Sequence, residues 1–161
     1  MAEAIILAVF MCLIADEDRR HLRVPAWING AAGFVGMIVA IEMSIAEGQS
    51  VADAIIACLA SAIACGASML AVREFFLRAR GIDGLGLGDV KLSATAGIWL
   101  GWEMFWYAIL LSAICCFIAV AIVQLRTQGW VRSRRIPFAM ALAPSVWLCW
   151  ILLQITGGIA V

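Results

Sequence analysis

Two clusters of acidic residues interrupt an otherwise apolar sequence. The first is the run Asp16-Glu17-Asp18, and the second centres on Asp89, at the end of a glycine-rich segment. Two carboxyl groups a few ångströms apart do not both ionise, so such a pair shares one proton near neutral pH. The ionised group then acts as a general base on water while the protonated one polarises a peptide carbonyl, as in an aspartic protease. If the fold brings the two clusters together, the residue types predict this chemistry.

The glycine-rich segment has Gly84, Gly86 and Gly88 at alternate positions directly before Asp89. Glycines leave room for another backbone to approach closely. An ionisable group at membrane depth is costly and indicates a functional site. A phosphate-binding loop is the rival interpretation, but the segment lacks the GxxxxGK[ST] spacing of such loops and follows no strand.

The composition indicates an integral membrane protein. Of 161 residues, 65% are apolar and 14% are charged, whereas soluble domains are about 45–50% apolar and about 25% charged. This balance excludes a disordered chain, a nucleic-acid-binding protein and a disulfide-stapled module. The six cysteines lie in apolar runs, none forms a CxxC pair, and the chain has a single histidine. We therefore expect no structural zinc site and no disulfide framework.

All 11 basic residues fall in three clusters between apolar runs, and the other gaps contain only acids. Cytoplasmic loops carry the Lys/Arg excess in membrane proteins, so the three basic clusters should face the cytoplasm. The clusters are Arg19, Arg20 and Arg23; Arg73, Arg78, Arg80 and Lys91; and Arg126, Arg132, Arg134 and Arg135.

The charge-free runs predict an all-α polytopic membrane bundle in a single domain, residues 1–161. Residues 92–102 are the shortest candidate crossing, because 11 residues rise only about 16 Å. We nevertheless predict that this run crosses, with its inner end near Asp89, since otherwise the last basic cluster would lie outside. The result is about six transmembrane helices with both termini outside. The runs are 4–15, 27–41, 54–72, 92–102, 104–125 and 136–161.

The acidic clusters resemble a known motif pair. Residues 86–91 read Gly-Leu-Gly-Asp-Val-Lys, and Asp18 stands seven residues before Pro25 of a Val-Pro pair. These features resemble the type IV prepilin peptidases, which are GxGD membrane aspartic proteases. Two later patterns, Ile136-Pro137-Phe138 and Ala143-Pro144, are similar to the last helix of that family.

The resemblance implies that Asp18 and Asp89 form the catalytic pair, with no metal and no cofactor. It implies a bacterial inner-membrane endopeptidase that removes the leader of a prepilin-like precursor at the cytoplasmic face. The implied partners are the precursor, the lipid bilayer and other pilus-assembly proteins, with no nucleic acid. The residues implied to bind substrate or support the site are Gly86, Gly88, Lys91 and Pro25.

The chain is similar to the short members of the family, those of tight-adherence (Flp) pili. Longer members carry paired CxxC motifs in an N-terminal part and methylate the mature pilin. No CxxC pair occurs here, so methyltransferase activity is not implied.

Several alternatives stay open from the residues alone. Lys91 either tunes Asp89 or binds substrate, or it anchors its helix end at the lipid headgroups. A small proton- or cation-coupled transporter would also use membrane acids, and a non-catalytic pilus-assembly subunit would carry them incidentally. A transporter should place its acids near the midplane, whereas both clusters here are predicted at one face.

Overall fold

A computed structural model of the protein describes residues 2–21, 25–81, 85–127 and 138–156. Five helices account for nearly all of these residues: α1 (Ala2–His21), α2 (Ala26–Ala46), α3 (Val51–Arg80), α4 (Leu87–Thr127) and α5 (Phe138–Ile155). Several residues used in the sequence predictions lie outside the described residues: Arg23, Val24, Gly84, Arg132, Arg134, Arg135, Ile136 and Pro137.

The long helix α4 is interrupted at Gly101, whose backbone angles of φ 71° and ψ 177° are not helical. Glycine tolerates this positive φ because it has no Cβ. A straight helix of 41 residues would extend about 60 Å, twice the thickness of a bilayer core. Instead, Cys116 lies close enough to Asp89 to interact electrostatically with it. The chain therefore reverses at Gly101, and residues 87–100 and 102–127 form two antiparallel segments.

Four of the described helices, α2 to α5, are long and apolar enough to cross a membrane. Their outward faces carry large apolar side chains, with Phe34 67%, Ile63 70% and Phe117 77% exposed. Lipid is the solvent that matches such a surface. The prediction of an all-α membrane bundle is confirmed, while six crossings and outside termini stay predictions. The fourth predicted crossing begins at Leu87, five residues before the apolar run that suggested it.

The core takes one stripe from each of α1, α4 and α5 and smaller contributions from α2 and α3. On α1, Leu7, Met11 and Ile14 are buried at spacings of four and three residues, which is the period of one helix face. They face a buried stripe of α5 and share one hydrophobic cluster with Leu92 and Trp99 of α4. The stripe of α5 is Ala139, Leu142, Ala143, Val146, Cys149 and Trp150.

Helices α3 and α4 approach each other through small residues. A Cβ on Gly97 would lie 2.7 Å from the carbonyl oxygen of Ser61 and 2.9 Å from the Sγ of Cys65. Membrane helices associate by van der Waals packing, and small residues at the contact allow the backbones to come close. This contact fixes the position of the first segment of α4, which carries Asp89 about two turns before Gly97.

Candidate active site

Asp18 is buried because it continues the core-facing stripe of α1. Asp18 follows Ile14 by four residues, and it is only 6% exposed. The backbone N–H of Met140, in the first turn of α5, donates a hydrogen bond to Oδ2 of Asp18 at 3.2 Å. Burial raises the pKa of the Asp18 carboxyl, and the Met140 hydrogen bond offsets only part of that rise.

Asp89 is held by the helix start that it belongs to. It is the third residue of α4, and the backbone N–H of Gly86 donates to its Oδ2 at 3.2 Å. A side chain at this position that reaches back to the residue before the helix satisfies one of the unpaired amides there. Ser93 donates its hydroxyl to the Asp89 carbonyl at 2.8 Å. Asp89 is 9% exposed.

The first turn of α5 brings the two carboxylates together. The Met140 amide binds Asp18, and the neighbouring Ala139 amide interacts favourably with the Asp89 carboxylate. The two carboxyl groups also interact with each other electrostatically. A helix N-terminus has unpaired N–H groups and a positive dipole end, so it stabilises negative charge. The arrangement can hold a pair of carboxyl groups that carries one negative charge and one proton.

Asp16 lies elsewhere on α1, because two residues turn a helix by about 200°. Its carboxylate forms ion pairs with Arg19 at 3.3 Å and with Arg20 at 2.8 Å. The hydrogen bond from Arg20 lowers the pKa of Asp16. Asp16 is therefore a solvated, paired carboxylate, whereas Asp18 has the amide donor and the neighbouring acid.

The described end of the glycine-rich segment, residues 85–88, is bonded to α3. Arg73 donates its Nε–H to the carbonyl of Leu85 at 3.1 Å, and Leu85 packs against the core. Gly86 follows on the surface, where a Cβ would lie 3.4 Å from Oδ2 of Asp89. Gly88 is half-buried in the first turn of α4. Residues 85–88 therefore pass beside Asp89 and are held to α3 by the Arg73 hydrogen bond.

Sequence reasoning missed three of these contributors. Arg73 was predicted only as a topology determinant, and the amides of Ala139 and Met140 were not predicted at all. Backbone amides have no residue-type signature, although the proline pattern before Phe138 is typical of a helix start. Pro25, predicted as a supporting residue, directly precedes α2 in an extended conformation (φ −62°, ψ 128°) and fixes where that helix begins.

Lys91 points away from the acids. It lines a cavity of about 360 Å³ between α2, α3 and α4, together with Asn29 and Thr95. A larger apolar groove of about 1010 Å³ follows α1 and α5 from Glu3 to Asp16. Neither cavity is lined by Asp18 or Asp89, so the carboxylate pair itself lies on the packed inner side of α1.

Within the described ranges, no three His, Cys, Asp or Glu side chains are grouped to hold a metal ion. All six cysteines lie in the described helices and none of them forms a disulfide. The site is thus described by two carboxyl groups, backbone amides and the residues that position them.

Both acids lie within the part of the chain that matches a known protein family. The model of the type IV leader peptidase family matches residues 5–122, which include both acids. The chain belongs to this family. Among curated proteins, the chain is 38% identical over 69 residues to the prepilin leader peptidase/N-methyltransferase of Aeromonas hydrophila, covering 42% of the chain and 23% of that protein.

Two further relatives of the family carry the same name. That of Pseudomonas aeruginosa is 35% identical over 81 residues, which are 50% of the chain and 28% of the relative. That of Pectobacterium carotovorum is 26% identical over 145 residues, which are 90% of the chain and 47% of the relative. The chain therefore matches less than half the length of each of these relatives. No solved structure matches the chain. Family membership and the apolar helices together make this an integral membrane protein.

Proposed function

We propose that this protein is an aspartic endopeptidase that removes the leader of prepilin-like precursors, with Asp18 and Asp89 as its catalytic pair. The observation that carries the proposal is the meeting of these two buried acids at the first turn of α5. Curated relatives are named prepilin leader peptidases, which supports the substrate class.

The proposed reaction uses the shared proton. The ionised carboxylate removes a proton from a water molecule, which attacks the scissile carbonyl. The protonated carboxyl donates its proton to the carbonyl oxygen, which gives a tetrahedral diol. As the C–N bond breaks, the leaving amine takes the proton held by the first group, and a hydroxyl of the diol returns a proton to the second group, so the pair again carries one proton. The amides of Ala139 and Met140 stabilise the single negative charge of the pair throughout.

The placement of the acids favours a peptidase over a transporter. Asp18 lies in the last turn of α1, and Asp89 in the first turn of α4. Helix ends lie near a membrane surface, whereas the ion sites of transporters lie near the midplane. A leader peptide outside the bilayer core would approach the acids from that surface.

We further propose that the site faces the cytoplasm of a bacterial inner membrane, in a bundle of six crossings with both termini outside. The reversal at Gly101 supplies two of these crossings. The leader would lie extended along the surface segment at Gly86 and Gly88, with Pro25 in a supporting position, whereas Lys91 lines the cavity on the other side of α4 and takes no part in this path. Other pilus-assembly proteins are proposed partners.

Co-expression with a candidate prepilin tests the proposed function. Cleavage should convert the precursor to a shorter band whose new N-terminus, read by mass spectrometry, begins at the mature sequence. A precursor that stays intact beside a correctly inserted protein would contradict the proposal and favour a transporter or an assembly subunit.

The dependence of cleavage on pH follows from the burial of Asp18. An ordinary aspartate titrates near pH 3.9, and burial raises the pKa of Asp18. Because the reaction needs one ionised carboxylate, the rate should fall as the pH drops, at a pH above the ordinary aspartate range. Cleavage of a purified precursor in detergent, measured from pH 4 to pH 9, checks this expectation. An undiminished rate at pH 4 would contradict it.

Reporter fusions test the topology. The segregation of the 11 basic residues predicts a cytoplasmic reporter at the three basic clusters and an outside reporter in the acidic gaps and at the C-terminus. An outside signal after Arg132 would mean that the chain does not cross twice around Gly101. The cytoplasmic fusion points are Arg23, Arg80 and Arg132, and the outside points are Glu47, Glu103 and the C-terminus.

A further inference from the structure

A cavity on the far side of α4 from the acids has the features of a ligand site. It has a volume of about 360 Å³ and lies between α2, α3 and the first segment of α4. One end is polar, with Asn29 and Lys91. The rest of its wall is apolar or glycine: Gly30, Gly33, Phe34, Met37, Ala62, Ala94 and Ile98, with Thr95 beside Asn29.

Asn29 leaves a hydrogen-bond acceptor unsatisfied at this cavity. The residue is 6% exposed, and its Oδ1 is buried with no donor among the described residues. Its backbone carbonyl is already used by the Thr95 hydroxyl at 3.3 Å. Buried polar atoms are almost always paired, and one that is not indicates a missing partner. Oδ1 itself has no open surface, so a ligand O–H or N–H group would supply the donor once the Asn29 side chain turns towards the cavity that the residue lines.

Lys91 supplies a positive charge at the same end. Its side chain is exposed, and the described part of the chain offers its ammonium neither a hydrogen bond nor an ion pair. Lys91 lies one turn from the start of α4, at the level of the membrane surface. Basic pockets between transmembrane helices near a membrane surface bind anionic lipid headgroups.

We propose that this cavity binds an anionic glycerophospholipid with a hydroxyl-bearing headgroup, such as phosphatidylglycerol. The phosphate pairs with Lys91, a headgroup hydroxyl donates to Oδ1 of Asn29, and an acyl chain lies against the apolar wall beside Phe34 and Ile98. The site is independent of peptide cleavage, because Asp18 and Asp89 do not line it.

Native mass spectrometry of the full chain in uncharged detergent tests the proposal. Phosphatidylglycerol should remain bound at concentrations at which phosphatidylcholine, which has no net charge and no headgroup donor, does not. Lys91→Gln should weaken retention about five-fold, the effect of one basic residue near a membrane surface. Arg78→Gln is the matched control, since it removes the same charge from an exposed residue of α3 outside the cavity.

Gly30 lines the cavity, and a Cβ there meets no atom within 4 Å, so the side chain of Gly30→Leu should occupy the cavity. This variant should abolish lipid retention. Equal losses in Lys91→Gln and Arg78→Gln would overturn the proposal in favour of general charge attraction. Full retention by Gly30→Leu would also overturn it, and would leave a peptide as the occupant to test.

Discussion

Asp18→Asn and Asp89→Asn should each reduce leader cleavage by about 10³-fold or more, while the protein stays in the membrane. An amide neither removes a proton from water nor carries the shared proton, and acid–base groups contribute about 10²–10⁴-fold each. The amide oxygen introduced at either position still accepts a hydrogen bond from Met140 or Gly86, so the fold keeps these contacts. Precursor cleavage at matched membrane levels measures the effect.

Asp16→Asn is the matched control on the same helix. It removes a carboxylate that is paired with Arg19 and Arg20 at the surface, and such exposed pairs contribute little to stability. It should therefore retain most of the activity. An inactive Asp16→Asn beside an active Asp18→Asn would assign the first acid to Asp16. If Asp18→Asn and Asp89→Asn are both active, the proposal that the protein is an aspartic peptidase is refuted.

Gly97→Leu should prevent the protein from accumulating, and Gly97→Ala should lower its unfolding temperature clearly. Even a methyl group at Gly97 would lie 2.7 Å from the Ser61 carbonyl, which is backbone and has no other rotamer to adopt. Overpacking of this kind costs about 1–3 kcal/mol. Thermal unfolding in detergent, followed by intrinsic tryptophan fluorescence, provides the measurement.

Gly30→Ala is the control for this pair of variants, since a Cβ there meets no atom within 4 Å. It should leave the unfolding temperature unchanged or raise it, because alanine favours a helix over glycine. An unfolding temperature for Gly97→Ala as high as that of Gly30→Ala would show that α3 and α4 do not pack closely at Gly97.

The helices could be predicted from the sequence because their signal is local. Apolar runs predicted an all-α membrane bundle, and the spacing of Asp18 from Pro25 singled out one acid of three. The buried stripe of Leu7, Met11 and Ile14 leads to Asp18 and not to Asp16. The helical spacing of this stripe therefore gives a second, independent reason to choose Asp18 as the first acid.

The meeting of the acids could not be predicted, because it depends on contacts between distant parts of the chain. Met140 is 122 residues from Asp18. The donor is its backbone amide, which any residue type except proline would provide, so the residue type gives no signal. The reversal at Gly101 depends on one backbone conformation, which no local pattern assigns to this glycine. The cavity beside Lys91 is likewise a product of packing. The direction of Lys91 away from Asp89, in contrast, follows from the helix period, because two residues turn a helix by about 200°.

The role of α5 has a consequence for biosynthesis. The amides that bind both carboxylates belong to the last described helix to leave the ribosome, at Ala139 and Met140. A nascent chain that has inserted α1 to α4 lacks both these donors and the helix that brings the two acids together. The pair is completed only when α5 docks, so a partly synthesised chain is a latent form of the protein.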